Sequence, residues 1–101
     1  MITENIVLRS DYKKDLKHLS IDMDIYVSEM LINSAKYILS NDLEIHQTSK
    51  DFQYENFTMK IEEDLKSKIK QFCKNQDVKI KDFWNEAARR YLECCATSLS
   101  S

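Results

Sequence analysis

The sequence predicts a mainly α fold in which the order strand, helix, helix occurs twice. Four observations lead there. From Phe57 to Leu92 the apolar residues change period, alternating through Phe57, Met59 and Ile61 and then taking helical spacing at Leu65, Ile69 and Phe72. A polar break, Lys74-Asn75-Gln76-Asp77, precedes a second helical stripe of Ile80, Phe83, Trp84, Ala87, Ala88, Tyr91 and Leu92. The chain has no Gly and no Pro, so the commonest breakers are missing and Asn, Asp and Ser must make the turns. Finally, the first part of the chain carries the same pattern at a constant offset of 53 residues.

At that offset Ile6, Leu8, Tyr12, Leu16 and Leu19 fall on Met59, Ile61, Leu65, Ile69 and Phe72. Ile25, Val27, Met30, Leu31, Ser34, Ala35, Ile38 and Leu39 fall on Val78, Ile80, Phe83, Trp84, Ala87, Ala88, Tyr91 and Leu92. Asp11, Lys13, Lys17, Asp24, Ala35 and Leu39 meet identical residues. Sharing a strand, two helices and the break between them in one register is far less probable by chance than sharing one stripe.

The elements follow in order. Residues 1–40 read as a strand over Thr3–Arg9, a helix over Ser10–Met23, a break at Asp24-Ile25 and a helix from Val27 to Ser40. Residues 41–55 are an acidic, exposed connector that Leu43, Ile45 and Phe52 can tack to the surface. Fully extended it reaches roughly 50 Å, at about 3.3 Å per residue. Residues 56–101 repeat the pattern: a strand over Asn56–Glu62, a helix to Gln76, a helix to Cys94, then a short fraying tail. Both units are expected to share one core. Asp11, Glu62, Glu63 and Asp64 place negative charge in the first turns of the leading helices, as the helix dipole favours. Tyr26 and Lys79 are poor caps for the second helices, and Asp24 and Asp77 stand where a left-handed residue is wanted.

At 101 residues and 43% apolar content this is one globular domain at most, without an apolar run of membrane-spanning length or a secretory leader. Three cysteines, two of them adjacent, suit a reducing cytoplasm rather than a disulfide framework. Cys94-Cys95, or Cys73 with His18 or His46, fit no closed zinc pattern, so neither metal nor cofactor is expected. No nucleophile–base pair, paired carboxylates or phosphate loop stands out, and an enzyme is not expected. The net charge of −2 does not advertise nucleic-acid binding, although residues 56–101 are mildly basic.

The segments LKHLSIDMDIYVSEMLINSAKYIL and IKQFCKNQDVKIKDFWNEAARRYL resemble the signature of the ribbon-helix-helix (MetJ/Arc/CopG-type) DNA-binding family. The resemblance covers both units, about three quarters of the chain, with departures at Asp24 and Asp77 (no Gly) and at Tyr26 and Lys79 (no Ser or Thr cap). It implies a tandem ribbon-helix-helix pseudo-dimer, whose two strands pair into an antiparallel β-ribbon above four interlocked helices. A lone strand is an exposed edge and one unit cannot bury its own apolar face. One chain folding on itself meets that need, and so do two chains exchanging halves.

With Ile6, Leu8, Phe57, Met59 and Ile61 inward, period two turns Thr3, Asn5, Val7, Asn56, Thr58 and Lys60 outward. The resemblance makes these six the base-reading positions of a ribbon in the major groove of duplex DNA. The halves differ at each of them, which predicts an asymmetric preferred site. Phosphate contact is implied at the start of each second helix, at Val27 and Ser28 and at Lys79, Ile80 and Lys81, where unpaired N–H groups collect. Arg9, which aligns with Glu62, is expected to add phosphate contact beside the first strand. Arg89 and Arg90 read as a solvated helix face.

The expected function is sequence-specific duplex binding, as a transcriptional repressor acting by occupancy in a bacterium, plasmid or virus, with cooperative assembly on longer DNA. A conjugation or partition accessory protein marking an origin region is an alternative. An antitoxin is another, although seven residues beyond Cys94 make a short toxin-binding tail. A protein-interaction module without DNA is the alternative from another class.

Overall fold

The computed structural model describes residues 1–100, with side chains through Cys95. Six elements run in the order β1 (Ile2–Arg9), α1 (Ser10–Met23), α2 (Val27–Asn41), β2 (Tyr54–Ile61), α3 (Glu63–Gln76) and α4 (Ile80–Ser100). The protein is mainly helical, with a two-stranded antiparallel sheet and four helices. No helix among the described residues is long and apolar enough to cross a membrane.

The strands pair within one chain, Ile2 with Ile61 at one end and Arg9 with Tyr54 at the other. Ser10 N–H donates to the Gln53 carbonyl at 2.9 Å and carries the pairing one step further. Both strands extend beyond the expected limits at the Ile2 and Tyr54 ends, and Glu62 belongs to the start of α3 instead of to β2. Tyr54 joins the ribbon because Arg9 is there to pair with it. Helix α4 carries on through the residues expected to fray, reaching Ser100, in a segment without a breaker.

One face of the ribbon lies on the helices. Ile6, Leu8, Met59 and Ile61 are buried and join Leu16, Leu19, Met30, Leu31, Leu65, Ile69, Phe83 and Trp84 in a single core drawn from both parts of the chain. Phe83 stands edge-on to Phe72 and to Trp84, with ring centroids 5.9 and 5.5 Å apart, the geometry that aromatic quadrupoles favour. The two longest helices, α2 and α4, cross where Ser34, Ala35, Ala87 and Ala88 are all buried, so small side chains let the backbones approach. There the Ser34 hydroxyl donates to the Ala87 carbonyl at 2.7 Å, which satisfies a buried polar group in the middle of the core.

Aspartate closes three of the four helices. Asp24 ends α1, Asp42 ends α2 and Asp77 ends α3, each with a positive φ between 49° and 57°. In each case its backbone N–H returns to a carbonyl of the last helical turn, the arrangement that Gly commonly supplies. A short polar side chain tolerates the left-handed region better than most, which is how a chain without glycine closes its helices.

The connector is more than a tether. Ile45 is buried in the core and Leu43 packs against it. The Gln76 side chain holds both, accepting from Ile45 N–H and donating to the Leu43 carbonyl at 2.8 Å each. Thr48 then bonds Asp82 at the start of α4, and exposed Phe52 stacks on Arg9.

Candidate nucleic-acid interface

The alternation of β1 and β2 decides what the outer face of the ribbon presents. Thr3 pairs with Lys60, Asn5 with Thr58 and Val7 with Asn56, so the six outward residues form three cross-strand rungs. All are exposed except Val7, which is half-buried. The central rung is itself bonded: the Thr58 hydroxyl donates to Asn5 Oδ1 at 2.7 Å. That commits the amide oxygen of Asn5 and leaves its NH2 to face outward as a donor. Lys60 is the one charged side chain among these six. Two rungs away, Lys13 Nζ donates to the Asn56 carbonyl at 3.1 Å and lies 3.8 Å from Glu55.

The inward positions include one that alternation alone misplaces. Glu4 shares the inward parity of Ile2 and Ile6, yet its side chain reaches Lys66 of α3 at 3.3 Å. Its side chain is only 16% exposed, so the lysine is what makes burial of that carboxylate tolerable.

Arg9 sits at the end of β1 and is fully engaged. Its Nε and Nη2 bond the two oxygens of Asp11 at 2.6 Å each. The guanidinium lies 4.0 Å from the centre of the Tyr12 ring and 3.8 Å from that of Phe52. The bidentate pair holds the Asp11 carboxyl below its ordinary range and pushes Arg9 up. Its charge is thus neutralised within the protein.

The two helix starts differ. At α2 no side chain caps the first turn, Val27 and Ser28 are half-buried, and Glu29 is exposed. At α4 the carboxylate of Asp82 reaches back to the Lys79 N–H at 3.0 Å. Asp82 also accepts from the N–H and hydroxyl of Thr48, both at 2.9 Å. Burial pushes the Asp82 carboxyl up, but these bonds and the charge of Lys79 outweigh it and hold it below the ordinary range. Lys79 is exposed and Ile80 half-buried, and Lys81 Nζ lies 3.8 Å from the centre of the Tyr54 ring.

Three polar residues inside α4 escaped the sequence reading. Asn85, 5% exposed, accepts from Arg9 N–H at 2.7 Å and donates to the carbonyls of Val7 and Lys81 at 2.9 and 2.8 Å. It completes edge groups of β1. Glu86, 4% exposed, is bonded by Arg89, and Arg90 Nε lies 2.7 Å from the same oxygen without hydrogen-bond alignment. Arg89 and Arg90 are therefore half-buried partners of a buried carboxylate rather than a solvated face. Asp82 is the third. Of the three, Asn85 alone left a signal in the offset: it stands where the first unit has Ile32, a polar residue at an apolar position.

Among the described residues no three His, Cys, Asp or Glu side chains gather where a metal could bind. Cys73 is buried, and burial together with the charge of Asp82 pushes its thiol up to about 11. Comparison of the chain with protein-family models, characterised proteins and solved structures finds no match.

Proposed function

We propose that this chain is a sequence-specific duplex-DNA-binding protein of the ribbon-helix-helix type, which lays its ribbon in the major groove and represses transcription by occupancy. The observation that carries the reading is the outer face of the ribbon. Three rungs of short polar side chains and one lysine stand there, displayed by a backbone fixed from below by core packing. A two-stranded ribbon fits the width of the major groove, where each base pair presents a distinct pattern of donors and acceptors. Thr3, Asn5, Val7, Asn56, Thr58 and Lys60 are the base-reading candidates, and Lys60 carries the charge-assisted contact to guanine.

Support for the two-unit reading comes from contacts between residues 53 apart. Asn5 bonds Thr58 on the ribbon, and Ser34 bonds Ala87 where α2 crosses α4. A pseudo-two-fold axis relating two units would bring equivalent residues together where it pierces the molecule, and contacts of this kind are what the two-unit reading expects. An intramolecular pseudo-dimer is the arrangement proposed.

The test is selection of bound sequences from random duplex DNA with the full chain, followed by binding of the selected duplex across a salt series. An enriched site that Lys60→Ala re-specifies, at about 1–3 kcal/mol for a lost base contact, supports the reading. Recovery of nothing above background at low salt refutes it. The second reading, a protein-interaction module, is favoured by one observation: Arg9 and Lys81, which flank the ribbon, are already engaged by Asp11 and by aromatic rings. It predicts that second outcome.

A further inference from the structure

We infer that the ribbon engages the DNA backbone on one flank only, because the connector and Asp82 close the flank formed by α4. The inference rests on the proposed duplex-binding reading and deepens it. It gives the complex a polarity that base identity alone does not.

The closed flank lies at the Arg9–Tyr54 end of the ribbon, where Asn85 of α4 bonds Arg9 and Val7 and Lys81 covers the Tyr54 ring. Three groups there that could meet a phosphate, the Lys79 N–H, the Arg9 guanidinium and the Lys81 ammonium, already have internal partners. The Lys79 N–H bonds the Asp82 carboxylate, an anion built into the place where a phosphate would approach. Thr48 adds two more bonds to that carboxylate, and with the Lys79 charge it keeps the group ionised. Arg9 is neutralised by Asp11 and lies between two rings, one of them Phe52 of the connector. A phosphate brought to this flank meets a fixed negative charge and cations that must first leave their partners.

The opposite flank lacks the buried, bonded anion and the connector, and its own carboxylates, Glu29 and Glu62, are exposed to solvent. At the offset of 53, Glu29 matches Asp82, Ser28 matches Lys81 and Glu62 matches Arg9. Glu29 is exposed instead of buried, no side chain caps α2, and nothing corresponds to Thr48 because only one connector exists. The rung nearer this end contains Lys60, the one cation among the three rungs. The expectation of phosphate contact beside Arg9 thus gives way to contact at the far end of the ribbon.

Phosphate-ethylation interference on the selected duplex, with the full chain, reads this directly. Interference confined to one side of the contacted base pairs is expected, and interference of equal strength on both sides overturns the inference while leaving duplex binding intact. Failure to bind any duplex overturns the inference together with the reading beneath it. Asp82→Asn gives a second readout, since removing the built-in anion opens the closed flank. The plot of log affinity against log salt is expected to steepen by about 0.9 for each phosphate gained. Asp82→Gln, which removes the charge while its side-chain oxygen can still accept from the Lys79 N–H as in a capping box, serves if Asp82→Asn does not fold, and the same steepening is then expected. An unchanged slope in a folded variant overturns the inference.

Discussion

Replacing Asn85 by Ala tests how the ribbon is held to the helices beneath it. The side chain is 5% exposed and makes three hydrogen bonds, two of them to the last residues of β1. Truncation leaves the Arg9 N–H and the Val7 carbonyl without partners. The Lys81 carbonyl keeps its place in the helix. A buried backbone group left unsatisfied costs about 1–3 kcal/mol, and these two are only partly buried, so water recovers some of the loss. The expected destabilisation is about 2–4 kcal/mol.

Urea denaturation at fixed pH measures it. For a protein of this size, with an m-value of about 1–1.5 kcal/mol/M, the midpoint falls by roughly 2 M. Asn85→Leu, which imitates the apolar Ile32 of the first unit, fills the volume but is expected to lose most of the same stability, because both backbone groups stay unpaired. Hydrogen exchange at the Arg9 amide localises the effect, and that amide is expected to lose protection before the core amides do. A change under about 0.5 kcal/mol for both variants, with Arg9 protection intact, would refute the claim that Asn85 anchors the ribbon.

Other perturbations follow from the same interactions. Cys94 is exposed whereas Cys73 is buried with its thiol pushed up to about 11, so a thiol reagent at pH 8 is expected to modify Cys94 in the native protein and Cys73 only after unfolding. Asp11 and Asp82 both have carboxyls held below the ordinary value of 3.8, Asp11 chiefly by Arg9 and Asp82 by bonds that outweigh its burial. The stability they contribute is complete above that value and is lost as pH falls through their lower native values. Denaturation midpoints are expected to drop below about pH 4, and less steeply in Asp82→Asn. Asp24→Ala and Asp77→Ala are expected to cost about 1 kcal/mol each in urea titrations, because Ala keeps the Cβ without the polar side chain. The corresponding Gly variants are expected to be neutral or slightly stabilising.

The elements were legible because each carries a period long enough to read. Leu65, Ile69 and Phe72 say helix, and alternation through Phe57, Met59 and Ile61 says strand, with or without neighbours. The outward set Thr3, Asn5, Val7, Asn56, Thr58 and Lys60 followed from the same alternation, and the rungs pair as an offset of 53 requires. What the pattern could not carry was the state of each charge. Arg9 and Lys81 look available in one dimension. Of their partners, Asp11 and Tyr12 lie in the turn that follows Arg9, whereas Phe52 and Tyr54 come within reach only once the connector folds back. Glu4 and Glu86 were opaque for the same reason, since a buried carboxylate is tolerated only through a cation that another turn or helix supplies.

Placing both strand–helix–helix units in one chain changes what each residue is free to become. In a symmetric dimer of identical chains, any substitution acts at both ends of the ribbon, so a residue suited to one flank is imposed on the other. Here Asn85 can bind the edge of β1 while its counterpart Ile32 packs beside the core, and Asp82 can accept Thr48 while Glu29 stays in solvent. The connector adds a second source of asymmetry, because it joins α2 to β2 and so can lie against only one flank. Bonded to Gln76 and Asp82 and buried at Ile45, it ties the start of β2 to the start of α4. Closing one flank and fixing that end of the ribbon are therefore two effects of one set of contacts. A substitution that loosens the connector must alter both.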